Sequence, residues 1–168
     1  RIGGWVKDWV WAPHQWHLPI PPRIADAMDD GQKWAVACAH ALLEDYGDQA
    51  RPLDRERTAV VLGTAMGGEL QYKTALRLNY PEIAAALGQS AAYAGLPVAM
   101  RQQLEQELHG AVRDMLPAIS EDTMPGELAN CVAGRIANLF DFRGPNFICD
   151  AACASALACV ASSRSWRA

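Results

Sequence analysis

No stretch of this chain is apolar for long enough to form a membrane-crossing helix, and no basic run alternates with aromatic residues. With a formal net charge of −4 at pH 7, that second absence argues against electrostatic capture of nucleic acid. The opening "RIGGWVKDWVWAPHQWHLPIPP" has no continuous apolar core ahead of a small-residue cleavage site, so it is not read as a signal peptide. Cysteine pairs of the C-x-x-C type are also missing, and the four histidines (His14, His17, His40, His109) stand far from the cysteines in sequence. A metal site is therefore not expected. The five cysteines (Cys38, Cys131, Cys149, Cys153, Cys159) are an odd number without an export signal, which predicts reduced thiols in a cytoplasmic protein. The chain does not begin with Met, and it is expected to be a piece of a longer one.

What is present is a 168-residue chain, 51% hydrophobic and 20% charged, enough to bury one core without a disulfide or metal staple. The early segment is rich in Trp and Pro, and Trp5, Trp9, Trp11 and Trp16 are expected to pack a loop. From Asp29 to Tyr46 the period is helical. Asp29 or Asp30 serves as cap, Trp34, Cys38, Ala41 and Leu42 share a face, and Gly47 is the stop. Thr58 to Leu62 reads as a buried strand running into "GTAMGGEL". That glycine turn has neither the G-x-G-x-x-G nor the G-x-x-x-x-G-K-[ST] spacing, so it is read as a tight turn and not a phosphate cradle.

Further helices are predicted over Glu69–Asn79, a short turn Pro81–Leu87, and Pro97–Met115, the last carrying Leu104, Leu108 and Met115 inward. His109 on that helix is read as solvated. "SEDTMPGE" reads as loop, and Glu127–Phe140 as a helix presenting Leu128, Val132, Ile136 and Leu139 or Phe140 on one side. Gly134 inside it, unfavourable by about 1 kcal/mol, points to close packing. Asn146–Cys149 is a strand and Ala154–Arg164 a helix of small residues. Alternating strands and helices predict a layered α/β domain.

The segment "GPNFICDAACASALACV" crowds three cysteines around one strand-to-helix turn. Two readings stand for its central residue. Buried Cys is often a small hydrophobe. A Cys at a helix N-terminus, however, meets unpaired N–H groups and partial positive charge that favour the thiolate. Only Cys153 falls at such a place, and its own N–H is positioned to face an oxyanion on an acyl group bound to its sulfur. Cys38, Cys131, Cys149 and Cys159 are read as core filler.

"GRIANLFDFRGPNFICDAACASALACV" resembles the active-site segment of the β-ketoacyl synthases, the condensing enzymes of fatty acid and polyketide synthesis. Arg143-Gly144-Pro145 and the run Asp150 to Ser155 carry the match. "IPPRIADAMDDGQKWAVACAHALLEDYG" is similar to the family's early helix, with Asp30 and Gly31 in place of its usual pair, and "RTAVVLGTAMGGEL" to its second strand and glycine turn. "EDTMPGELANCVAGRIANLFDFRGPN" looks most like the iterative multidomain members that make polyunsaturated fatty acids or related polyketides.

The resemblance implies a thiolase-like (α/β/α) layered fold with a mixed sheet, of which residues 1–168 are the N-terminal half. It implies an acyltransferase in which Cys153 takes an acyl group and a decarboxylating malonyl thioester attacks it. It implies phosphopantetheine of an acyl carrier protein as substrate carrier, with no cofactor bound directly, and a homodimer in which the strand before Cys153 pairs across a two-fold. Leu128 would line the acyl pocket. The family's two catalytic histidines and second glycine-rich loop have no counterpart here. The isolated chain is thus expected to be acylated or alkylated at Cys153 but not to condense. A non-catalytic scaffold for dimerisation or carrier docking is the alternative. A different cysteine acyltransferase or hydrolase using His40 or His109 as base ranks lower, for neither has an orienting Asn or Asp nearby.

Overall fold

A computed structural model describes residues 7–64 and 68–164. Trp5 and the central residues of the glycine turn, 65–67, lie outside that range. In chain order the elements are α1 (Pro22–Ala27), α2 (Asp30–Tyr46), β1 (Val60–Gly63), α3 (Gly68–Gly88), α4 (Ala91–Ala94), α5 (Val98–Met115), α6 (Thr123–Glu127), α7 (Asn130–Leu139), β2 (Asn146–Cys149) and α8 (Ser155–Arg164). Single 3-10 turns cover Arg55–Arg57 and Ala152–Ala154.

The expected mixed sheet is, among the described residues, a parallel pair. Val60 stands opposite Asn146, Leu62 opposite Ile148 and Gly63 opposite Cys149. Side chains alternate across such a pair, and the alternation assigns its two coverings. Val60, Leu62 and Ile148 join Val132, Ala133, Ile136 and Ala137 of α7 in the core. Gly63 and Cys149 face the other way, onto α8. The chain is mostly helical, and its small parallel pair has a helix on each face.

On the α7 side α2 completes the core, and here the expected inward face is corrected. Trp34, Cys38 and Leu42 are exposed, while Gln32 and Val36 are buried with Ala35 and Ala39 beside them. Helices approach closely where side chains are small, so the alanine face turns to the neighbouring helix and Trp34 is left outside. There Trp9 packs on it with ring centroids 5.4 Å apart. Trp11 meets Trp16 edge-on at 5.5 Å, and Trp16 stacks on His40 at 5.2 Å, so the Trp-rich segment does pack as a loop against α2.

Four other expectations change. Pro81 lies inside one continuous helix, α3, and does not divide it. Leu104 and Met115 of α5 point outward, 40% and 73% exposed, and no residue of α5 is fully buried. The "SEDTMPGE" loop contains the short helix α6, so α7 begins only at Asn130 and Leu128 sits in the bend between them. A methyl group at Gly134 would stand 3.5 Å from Asn146 Oδ1, an ordinary contact, so close packing does not account for that glycine.

Asp29 organises this region. Its side chain caps α2 by accepting from Gly31 N–H at 2.8 Å, and its other oxygen accepts from Leu70 N–H at 2.9 Å in the first turn of α3. Its own N–H donates to Gly126 C=O of α6 at 2.9 Å. Gly68 passes so close, at φ +85°, that a Cβ there would collide with the Asp29 carboxylate. Gly47, also left-handed at φ +76°, ends α2 as predicted.

Candidate active site

The cysteine turn is built from β2 outward. Asp150 Oδ1 accepts from Ala152 N–H at 3.0 Å, turning the chain away from the sheet. Ala152 then takes φ +49°, a conformation uncommon for a residue with a Cβ. Ser155, 6% exposed, fixes it: its hydroxyl accepts from Ala151 N–H at 3.0 Å and donates to Ala152 C=O at 2.7 Å. Backbone bonds run from Ala154 N–H to Ala151 C=O and from Ser155 N–H to Ala152 C=O. None of these bonds uses the Cys153 N–H. Cys153 is therefore carried at the apex of a clamped turn, exposed, two residues before α8.

The turn is seated on β1. A Cβ at Gly63 would meet the Ser155 carbonyl carbon at 2.7 Å and Ala156 N at 3.0 Å, so only glycine lets the strand and the start of α8 approach this closely. Close approach, rather than a left-handed turn, explains Gly63. Thr64 N–H donates to Cys149 C=O at 3.2 Å and extends the sheet to the point where the turn begins.

The other sulfurs divide differently from expectation. Cys149 and Cys159 are half-buried between β2 and α8, with Cys149 Sγ 3.6 Å from Ser162 Oγ. Burial, followed by contact with the Cys149 thiol, pushes the Cys159 thiol above its ordinary value of 9.0. Cys131 is also half-buried. Cys38, expected in the core, is exposed because its face of α2 turns outward. The histidines do not engage Cys153: His40 stacks on Trp16 with Nδ1 3.5 Å from Glu44 Oε2, and His109 lies against Tyr80 at 5.9 Å. Among the described residues, no group of three His, Cys, Asp or Glu side chains is arranged to hold a metal ion.

Beyond the C-terminal end of β1, where ligands of parallel sheets collect, lies a cleft of about 230 Å³. Leu62, Gly63 and Thr64 form one wall, and Glu127, Leu128 and Val132 the other. Leu128 is thus in a cleft beside the cysteine turn, sharing Gly63 with it, although Cys153 itself is not among the lining residues. Gln32, 2% exposed, holds the Leu128 bend: its Nε2 donates to Pro125 C=O at 2.9 Å and Leu128 C=O at 3.2 Å. Its Oε1 accepts from Arg135 Nε at 3.1 Å. The sequence did not single out Gln32, Arg135 or Glu127. Burial of a polar residue one turn into a helix leaves no periodic mark.

Comparison with known proteins completes the site. Residues 2–167 match the model of the Beta-ketoacyl synthase, N-terminal domain family. The chain is 32% identical over 163 residues to a polyunsaturated fatty acid synthase polypeptide of Thraustochytrium sp., an alignment covering 95% of this chain and 5% of that protein. It is 27% identical over 145 residues to 6-methylsalicylic acid synthase of Penicillium terrestre, covering 86% of this chain and 6% of the relative. The Aspergillus niger protein of the same name is 27% identical over 189 aligned positions, covering 96% and 8%. The chain therefore spans less than a tenth of the length of each of these relatives. No solved structure matches. A match along nearly the whole chain, with a cysteine presented on a strand-to-helix turn, settles the assignment: the chain belongs to the β-ketoacyl synthase family, as an N-terminal domain.

Proposed function

We propose that Cys153 is the acyl-accepting nucleophile of a β-ketoacyl synthase acting in polyketide or fatty acid biosynthesis. The carrying observation is its exposure at the apex of the clamped turn, ahead of α8 and with its N–H unused by the turn. The thiolate attacks the carbonyl carbon of an acyl thioester on the phosphopantetheine of a carrier protein. The carrier C–S bond breaks, its sulfur leaves and takes up a proton, and a new C–S bond forms at Cys153. The partial positive charge at the start of α8 favours the thiolate, and the Cys153 N–H faces the oxyanion.

In the second half-reaction a malonyl-carrier thioester loses CO2, and its carbanion attacks the acyl carbon to release Cys153 and give the β-ketoacyl product. The contacts of His40 and His109 do not assist that step, so acylation without condensation is the activity proposed for the 168 residues. The pair β1–β2 between α7 and α8 forms one section of the thiolase-like fold that the family implies. Homodimerisation and carrier docking belong to the same proposal. The test is intact-mass analysis of the chain incubated with a short acyl pantetheine thioester. One acyl adduct mapping to Cys153, absent in Cys153→Ala, is expected. An adduct on another cysteine, or none on a chain with native circular dichroism, sinks the reading.

A further inference from the structure

Cys149 and Cys159 form a pair that the acylation chemistry leaves unused. A Cβ at Gly63 would stand 2.7 Å from the Ser155 carbonyl carbon, so glycine lets α8 start unusually close to the sheet. Short side chains then bridge the gap farther along the helix. Cys149 points from β2 onto α8, with its Sγ 3.6 Å from Ser162 Oγ. Cys159 precedes Ser162 by three residues and so lies on the same face of α8. The two thiols hydrogen-bond to each other, and the Cys159 sulfur also meets the Cys149 backbone N–H. Both cysteines are free and only half-buried, which leaves them open to a small solute. Cys153 falls between them in sequence but is carried away on the exposed apex of the turn.

We propose that Cys149 and Cys159 are a redox-active pair, joined by exchange with a low-molecular-weight disulfide such as oxidised glutathione, and that the bond staples β2 to α8. One cysteine thiolate attacks a glutathione sulfur, and the first glutathione thiolate leaves. The other cysteine, deprotonated in turn, attacks the protein sulfur of that mixed disulfide and expels the second glutathione. The protein gives up two electrons and two thiol protons, and the glutathione disulfide becomes two thiols. The closed ring contains Ala152 at φ +49° and the rest of the cysteine turn, so the staple restrains the turn from opening. This pairing goes beyond the role proposed for Cys153 and does not depend on it.

The chain is equilibrated without oxygen in glutathione buffers of graded redox ratio, quenched with acid and blocked with N-ethylmaleimide. Cleavage before Asp141 and Asp150 separates the Cys149 peptide from the one holding Cys153 and Cys159. In oxidising buffer the two peptides are expected joined through Cys159, at least about tenfold in excess over any bond to Cys153. In concentrated urea that excess should vanish, since without the fold the nearer pair Cys149 and Cys153 closes as readily. Hydrogen exchange at the Ala151 and Ala154 amides, both bonded within the turn, should slow several-fold on oxidation and recover with dithiothreitol. Cys159→Ala should abolish the slowing. A dominant bond to Cys153, mixed glutathione disulfides alone, or the same pairing in urea overturns the inference. Unchanged exchange in the linked chain, or slowing that persists in Cys159→Ala, overturns the staple. Neither readout uses acylation, so a failure of the nucleophile reading is seen separately.

Discussion

Replacing Asp29 with Ala removes one carboxylate from two elements at once. Its two oxygens accept from Gly31 at the start of α2 and from Leu70 at the start of α3, at 2.8 and 2.9 Å. Each lost cap costs about 1 kcal/mol. The residue is 7% exposed, so water replaces the missing acceptors poorly, and the sum is expected to reach about 2–3 kcal/mol. The Asp29 N–H bond to Gly126 is backbone and survives the change. For a domain of this size each kcal/mol moves the melting temperature by about 2–4 °C, so a fall of roughly 4–12 °C follows. Asp29→Asn keeps one accepting oxygen and is expected to lose about half as much.

Urea unfolding followed by circular dichroism gives the free energy, with an unchanged slope showing that the denatured state is not the cause. Hydrogen exchange at the Gly31 and Leu70 amides should rise together in the Ala variant. A loss below about 0.5 kcal/mol, or faster exchange at Gly31 alone, refutes the reasoning, since the carboxylate would then be a local cap of α2 and no tie to α3.

Limiting iodoacetamide near neutral pH should label Cys153 and Cys38, which are both exposed, and spare Cys149 and Cys159. Cys38→Ser should leave a single adduct on Cys153, and peptide mapping that finds Cys159 equally labelled contradicts the burial that raises its thiol. At alkaline pH, Tyr93 should resist ionisation. A 2.6 Å hydrogen bond to Glu105, then burial, raises it above the ordinary 10.0. A folded value above the unfolded one means that this stabilisation is complete below about pH 10 and fades as pH rises through the folded value. Tyr93→Phe should therefore flatten the loss of stability above pH 10, and a difference ultraviolet titration of wild type against Tyr93→Phe that places Tyr93 at or below 10.0 refutes it.

Local signals were legible where one residue decides the local structure. Asp29 and Gly47 bounded α2 correctly, and β2 was read to the residue, because caps and short apolar runs act on their immediate neighbours. Which face of α2 turns inward was not legible, since both faces are apolar and only the approach of α7 selects the alanine side. Pro81 shows the same limit: its rule predicts a break, yet the packing of α3 against α4, α5 and α6 keeps one helix. In the site, the motif singled out Cys153 and the resemblance Leu128, and the structure places the first exposed on its turn and the second in the neighbouring cleft. Glu127 was passed over where a predicted loop meets a predicted helix, for its burial is defined by what surrounds it in space.

The parallel pairing has a consequence for the order in which the molecule assembles. Val60 finds its partner at Asn146, a separation of 146 − 60 = 86 positions. Contacts so distant along the chain incur loop-closure entropy before they return any stabilisation, and they form late. Because the cysteine turn sits on Gly63 of that sheet, its geometry cannot exist until the slow pairing is complete. The presentation of Cys153 thus waits on most of folding and reports that the fold has closed.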